Sequence, residues 1–229
     1  MAKIDLSKKT AVVTGASSGL GKAIAELLAK NGVKVFALAR NIDQVKFSSE
    51  VVKVKCDIRD LQSIDNVFLQ IDTETKEIDF LVNCAGRGLV KTFEETTREE
   101  IMDIFGVNLK GNVYIAQEVY KRMIPTKTGH IVNVGSTSSI KAREMEVLYC
   151  ASKWGLRGFT ESLRLEARNH GIKVTGVYPG GMKSENFWKI TPEKDISGYM
   201  DPKDIAEQIL NILTTNSNIA TTELIIERP

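Results

Sequence analysis

Cysteine, histidine and long apolar runs are all scarce in this chain of 229 residues. Three cysteines, Cys56, Cys84 and Cys150, are too few and too scattered for a disulfide frame, and none belongs to a CxxC pair of the kind that holds zinc. With only two histidines, His130 and His170, neither a histidine-rich metal site nor a Ser-His-Asp triad can be built, so no metal is expected. Nowhere do about 18 apolar residues run together, and the opening MAKIDLSKKTAVVTGAS has no apolar stretch ahead of a small-residue cleavage site. Charge of one sign is lacking as well. The 31 Lys and Arg against 29 Asp and Glu leave +2, which provides no overall basic field to gather nucleic acid or an anionic membrane. These absences read as a soluble protein of a reducing cytoplasm, with no secretion signal and no membrane or nucleic-acid partner.

What is present points to one core. Area scaling gives roughly 26,000 of about 37,000 Å² hidden on folding, and no composition break or Pro-rich linker divides residues 1–229 into two domains. Short β-rich runs alternate with helix-length segments: Thr10 to Thr14, Val33 to Ala39, Val51 to Cys56, Phe80 to Asn83, His130 to Val134, Val174 to Tyr178 and Leu224 to Ile226. Seven strands separated by helices imply a doubly wound α/β fold with a mostly parallel sheet, and their continuous Val, Ile and Leu suit strands covered on both faces. The least regular stretch, 181–200 after Gly180, carries Phe187, Trp188, Pro192, Gly198 and Tyr199. It reads either as a surface loop or as a short lid over a ligand.

The first strand is followed by Thr14-Gly15-Ala16-Ser17-Ser18-Gly19-Leu20-Gly21, then by a helical stripe of Leu20, Ile24, Leu27 and Leu28. Strand, glycine turn and helix make an anion cradle, because glycines let backbone approach a pyrophosphate while the N–H groups at the helix start attract its charge. A P-loop would need a glycine at Ala16 and a hydroxyl at Ala23, so ATP or GTP hydrolysis is disfavoured. About 20 residues on, where a dinucleotide ribose should lie, the second strand ends in Leu38-Ala39-Arg40-Asn41. Ala39 removes the acid that NAD would use and Arg40 offers a fork of donors suited to a 2′-phosphate, so NADP is favoured with NAD still possible. Arg40 as a plain strand-end charge is the alternative, and Ser18 stands where a second basic residue would help.

Tyr149 and Lys153 are four apart on one helical face, and a nearby cation favours a phenolate over a phenol that titrates near 10 in water. Such pairs are common on solvated helices, so context matters. Ser136 directly follows the buried run Ile131 to Val134, at the carboxyl end of a parallel strand where ligands of open α/β sheets bind, although Ser136 to Ser139 is also ordinary turn chemistry. Asn108 falls on an apolar stripe that includes Ile101, Ile104, Phe105, Val113, Ala116 and Val119; Asn112 falls on the same stripe, and one of the two amides could be structural.

In Thr14-Gly-Ala-Ser-Ser-Gly-Leu-Gly21, Cys56-Asp57-Ile58, Asn83-Cys-Ala-Gly86, Val107-Asn108, Ile131-Val-Asn-Val-Gly-Ser136, Tyr149-Cys-Ala-Ser-Lys153 and Tyr178-Pro-Gly180, the chain resembles a single-domain short-chain dehydrogenase/reductase from Lys9 to its C-terminus. The resemblance implies an NAD(P)-dependent alcohol dehydrogenase or carbonyl reductase. Tyr149 would be the proton donor or acceptor, Lys153 would lower its pKa and bind the nicotinamide ribose, Ser136 would polarise the carbonyl, and Asn108 would hold a relay water. It implies further that Gly15, Ser17, Ser18, Gly19, Leu20 and Gly21 cradle the pyrophosphate, Asp57 and Ile58 meet the adenine, and Asn83, Ala85 and Gly86 line the adenosine side. Pro179, Gly180, Met182 and Ser184 would flank the nicotinamide. Cys84 replaces an amide that braces the sheet in the family, which predicts a looser fourth strand. Cys84 and Cys150 have no adjacent histidine to activate them and read as small fillers.

The substrate is left open. Met182, Phe187, Trp188, Tyr199 and Met200 suit a small hydrophobic carbonyl compound, while Ile140 to Glu146 brings mixed charges that suit a hydroxy acid or a carrier-bound thioester. A 3-oxoacyl carrier-protein reductase is the nearest alternative, and a dinucleotide-binding regulator without turnover a more distant one. The resemblance also implies a homodimer or homotetramer through the helices that carry Asn108 and Tyr149, where Gly155 and Gly158 would allow close approach between subunits or within one.

Overall fold

The computed structural model describes residues 5–184, 187, 195–215 and 218–229. In chain order they form β1 Thr10–Thr14, α1 Gly19–Lys30, β2 Lys34–Ala39, β3 Val52–Lys55, α2 Leu61–Glu74, β4 Phe80–Asn83, α3 Arg98–Phe105, α4 Asn112–Met123, β5 His130–Val134, α5 Val147–Ala167, β6 Lys173–Pro179, α6 Pro202–Leu213 and β7 Glu223–Ile226. All seven expected strands are present and pair in parallel in the order β3-β2-β1-β4-β5-β6-β7. The third is shorter than its apolar run and the sixth longer, starting at Lys173 and ending at Pro179.

Side-chain alternation along the strands divides the core into two layers. Ala11 and Val13 of β1, Val35 and Ala37 of β2 and Val82 of β4 face α1 and α6, where they meet Ile24, Leu28, Ile205 and Ile209. Val12, Phe36, Leu38, Leu81 and Ile131 face the other way, onto Ile64, Phe68 and Ile71 of α2 and Ile115, Val119 and Met123 of α4. Both faces are covered, which is why the strand runs carry apolar residues at consecutive positions. No helix among the described residues is long and apolar enough to cross a membrane.

The helix expected around Asn108 is not uniform. Between α3 and α4 the chain widens into one π-type turn, Gly106–Gly111, with Asn108 at its centre and fully buried. Such widened turns cluster at functional sites. The apolar stripe could not reveal it, since Ile104 and Ile115 lie on the core side both before and after the turn.

Strand order reverses between β1 and β4, and there the two chain segments are tied. The buried Thr14 hydroxyl oxygen accepts from the N–H of Cys84 at 3.0 Å and of Ala85 at 3.1 Å. Asn83 donates inward from its amide to the Asn112 carbonyl and the Asn133 side-chain oxygen, both at 3.0 Å. Thr14 and Asn83 brace this end of the strand, while the buried side-chain oxygens of Asn83 and Asn112 have no hydrogen-bond partner among the described residues. Thr14→Val keeps the shape but leaves two N–H groups without their acceptor, so it should lower stability by about 1–3 kcal/mol in urea unfolding. An unchanged midpoint would contradict the brace.

Candidate active site

A cleft of about 700 Å³ runs along the carboxyl end of the sheet across the β1–β4 reversal, where open α/β sheets bind their ligands. The glycine turn forms its first wall. Gly15 has φ +68° and backs onto β4 so tightly that a side-chain carbon there would lie 2.8 Å from Ala85 Cα. The helix start next to it has no plug: α2, α3 and α6 begin on the side-chain caps Asp60, Thr97 and Asp201, whereas Ser18 makes no capping hydrogen bond and the first turn of α1 holds no acid. Gly15, Ser17, Ser18, Gly19, Leu20 and Gly21 all line the cleft. Uncapped N–H groups at a helix start, within a glycine turn, are the donor set that a pyrophosphate fits.

At the outer end, Arg40 lines the cleft and its guanidinium has no hydrogen bond or ion pair among the described residues. A shallower hollow beside it is lined by Ser17, Lys22, Asn41, Gln44, Val45 and Lys46. Two basic side chains thus stand in this hollow, Lys46 and Lys22, the latter 3.9 Å from the Glu26 carboxylate. Asp57 and Ile58 line the cleft too. The Asp57 carboxylate is gripped by Arg59, Nε at 2.9 Å and Nη2 at 2.5 Å, a pairing that keeps it below the usual carboxylate range. Arg59 reaches on to Asp103 at 2.5 Å, and Asp103 also takes the guanidinium of Arg87.

At the inner end, Ser136, Tyr149 and Lys153 converge on the cleft. The Ser136 hydroxyl follows β5 and accepts from Ser138 N–H at 3.1 Å. Tyr149 and Lys153 ride on one face of α5, with the Lys153 ammonium 5.9 Å from the centre of the tyrosine ring. That ammonium is buried and donates to the Val134 carbonyl at 3.0 Å. Burial pushes the Tyr149 phenol up, while Ser136 and Arg143 pull it down, and burial brings Lys153 down to about 8. In the protein by itself, burial drives each of these two groups toward its neutral form. Phe187 packs edge-on against Tyr149, ring centres 5.7 Å apart.

Known proteins resemble this chain in sequence and in fold. The model of the short chain dehydrogenase family matches residues 9–195. The chain belongs to the short-chain dehydrogenase family. It is 33% identical over 240 residues to an uncharacterized oxidoreductase of Staphylococcus saprophyticus, covering 97% of this chain and 98% of that one. A metagenomic short-chain oxidoreductase in complex with NADP superposes with a TM-score of 0.85 at 29% identity, over 98% of this chain and 99% of the other. The closed form of serine dehydrogenase complexed with NADP+ gives 0.87 at 26%, over 95% and 94%.

Two of the expected site residues of this oxidoreductase do not reach the cleft. Asn83 is fully buried, with its amide turned to the sheet brace. Asn108 also stays beneath the floor: its Oδ1 accepts from Arg87 N–H at 2.8 Å, while its Nδ2 donates to Arg87 O at 3.0 Å and Ser152 Oγ at 3.1 Å. It pins the 86–88 turn over the site, and its Oδ1 and the Lys153 Nζ both lie about 3.4 Å from where a side chain on Gly86 would begin. Asn112 donates to Ala85 O at 3.0 Å, a structural bond for the second amide of the stripe. Ala85, Gly86, Pro179, Gly180, Met182 and Ser184 do line the cleft. His130 bonds Thr175 at 2.8 Å within the sheet and is held down to about 3 by burial, far from any chemistry. Burial holds the Cys84 thiol up at about 12, in keeping with a filler. Gly155 packs against Leu109 of the same chain, whereas a side-chain carbon on Gly158 would meet open space among the described residues.

The two ends of segment 181–200 are tied together, with Lys183 N donating to Met200 O at 2.8 Å and Met200 N to Gly181 O at 3.2 Å. Phe187 and Tyr199 face the cleft, whereas Trp188 and Pro192 lie outside the described residues. Sequence reasoning missed Arg87 and Arg228 in the lining. Arg87 stands next to the Asn83 to Gly86 motif and could have been found there; Arg228 becomes a neighbour only through the β6–β7 register.

Burial of Lys153 has a pH signature. Because its folded value, about 8, lies below the ordinary 10.5, the unfolded chain binds more protons between those values and stability rises with pH across that window. In cofactor-free protein, wild type should gain stability over Lys153→Met between pH 7.5 and 10 in urea unfolding. A difference independent of pH would contradict a buried, titrating ammonium.

Proposed function

We propose that this chain is an NADP-dependent alcohol dehydrogenase or carbonyl reductase, which interconverts a secondary alcohol and a ketone. The observation that carries the reading is the convergence of Ser136, Tyr149 and Lys153 at one end of a single cleft whose other end offers the unpaired Arg40. Its two titratable members are both dehydrated, so their proton affinities answer strongly to any charge brought beside them. Two of the structural relatives were solved with NADP or NADP+, which supports the same cofactor here. The glycine turn and the open start of α1 would take its pyrophosphate, and Arg40 with Lys22 and Lys46 the 2′-phosphate. Asp57, already held by Arg59, would share its carboxylate with the adenine edge.

NADP, when bound, would supply the hydride acceptor or donor. The protein positions the substrate and moves the proton. Ser136 donates to the substrate oxygen, and Tyr149 takes the hydroxyl proton as the alcohol is oxidised, or returns it as the ketone is reduced. Lys153 keeps a cation within the same buried space and steadies the phenolate. Asn108 acts on this group through Arg87, Ser152 and the turn at Gly86 rather than by contact. Phe187 on the tyrosine edge helps to exclude water.

Tyr149→Phe removes the proton carrier and leaves the cofactor walls intact. Turnover of any substrate should fall at least about 100-fold, with NADPH affinity, read by its fluorescence, changed only a few-fold. Turnover that survives the substitution would remove Tyr149 from this role.

A further inference from the structure

Around the inner end of the cleft stand two more guanidinium groups that the hydride and proton chemistry does not use. Arg143 comes from the segment between β5 and α5 and lines the cleft. Its Nη2 donates to the Thr137 hydroxyl at 3.0 Å, which aims the group but leaves its charge unmatched. It stands near enough to Tyr149 for that charge to favour the phenolate. Arg228 also lines the cleft and comes from the end of β7. Gly180 N donates to Ile226 O at 2.8 Å, which ties β7 to the Pro179-Gly180 turn; two residues farther on, the Arg228 guanidinium lies over the Tyr199 ring at 4.4 Å. Neither arginine has a carboxylate within 4.0 Å among the described residues. Of the other arginines, Arg59, Arg87, Arg122 and Arg157 are ion-paired, whereas Arg40, Arg98, Arg164 and Arg168 have no carboxylate within 4.0 Å among the described residues.

One acid faces them. Glu146 lines the same end and accepts from the Ser138 hydroxyl at 3.0 Å. With Arg143 and Arg228 counted against Glu146, the described residues of the substrate end carry one net positive charge beyond that of Lys153. A monoanion cancels it; a phosphate dianion would leave excess negative charge beside Tyr149 and oppose the phenolate that oxidation needs. Planar forks match a carboxylate through paired hydrogen bonds. Met182, Phe187 and Tyr199 line the remaining wall with apolar carbon.

We infer that the substrate carries a carboxylate, as a hydroxy acid and its oxo acid do, and that Arg143 and Arg228 hold that carboxylate while the carbinol carbon faces Tyr149. The inference names the substrate class for the reaction proposed above and rests on it, but the carboxylate site can be tested without turnover.

The protein saturated with NADPH cannot oxidise an alcohol, so binding alone can be measured by titrating straight-chain 3-hydroxy acids of four to eight carbons, each beside its neutral amide. At least one acid should bind tenfold or more tightly than its amide, about 1.4 kcal/mol. In Arg143→Gln and in Arg228→Gln that ratio should fall below threefold, and Arg143→Lys, which keeps charge without the fork, should fall between. No acid binding better than its amide, or a preference that survives in both glutamine variants, would overturn the inference. Acid preference in binding with no oxidation of the same acids by NADP+ would uphold the carboxylate site and count against the proposed reaction instead.

Discussion

The close approach of the β1 turn to the end of β4 is the contact on which the rest of the site depends. Gly15 lies against Ala85 with no space for a side chain, and Thr14 holds the two N–H groups that start the second turn. One junction therefore fixes the open helix start on one side and the Gly86 turn over Lys153 on the other. The strand order reverses there, so helices leave the sheet in opposite directions and a crevice opens between them. Every other wall of the cleft is hung on strands that this junction aligns.

Burial is the second constraint. Lys153 is taken out of water and given one backbone carbonyl, and Tyr149 is taken out of water beside it. A surface pair four residues apart would interact weakly and be screened by salt. Dehydrated, the same pair is unfavourable on its own, with the phenol raised and the amine lowered, and that makes it responsive to a charged cofactor. The strain is local and is supported by the π-type turn, where Asn108 is committed to Arg87 and Ser152.

Most of the fold was legible in the sequence because parallel strands covered on both faces leave a plain signal, consecutive Val, Ile and Leu between helical stripes. The glycine turn, Ser136, Tyr149 and Lys153 were legible because chemistry requires those residue types at those spacings. The direction of the proton affinities was not, since spacing shows that Lys153 and Tyr149 share a face and says nothing about how dry that face is. The bracing bonds of Asn83 and Asn108 were not legible either, since a polar residue type at a given place does not say which groups its amide will meet. Arg228 and the Arg59–Asp103–Arg87 network arise from segments far apart in the chain and could be seen only once the β6–β7 register and the packing of α3 were known.

The central claim is that this cleft is shaped for NADP. Paired fluorescence titrations of the purified protein with NADPH and with NADH test it most directly, because the uncapped start of α1, Arg40, Lys22, Lys46 and Asp57 all contribute and no substrate need be chosen. The account predicts NADPH binding at least tenfold tighter, about 1.4 kcal/mol, with the margin shrinking as salt is raised. Equal or tighter binding of NADH would contradict it, and would mean that Arg40 and its neighbouring lysines do not receive a phosphate.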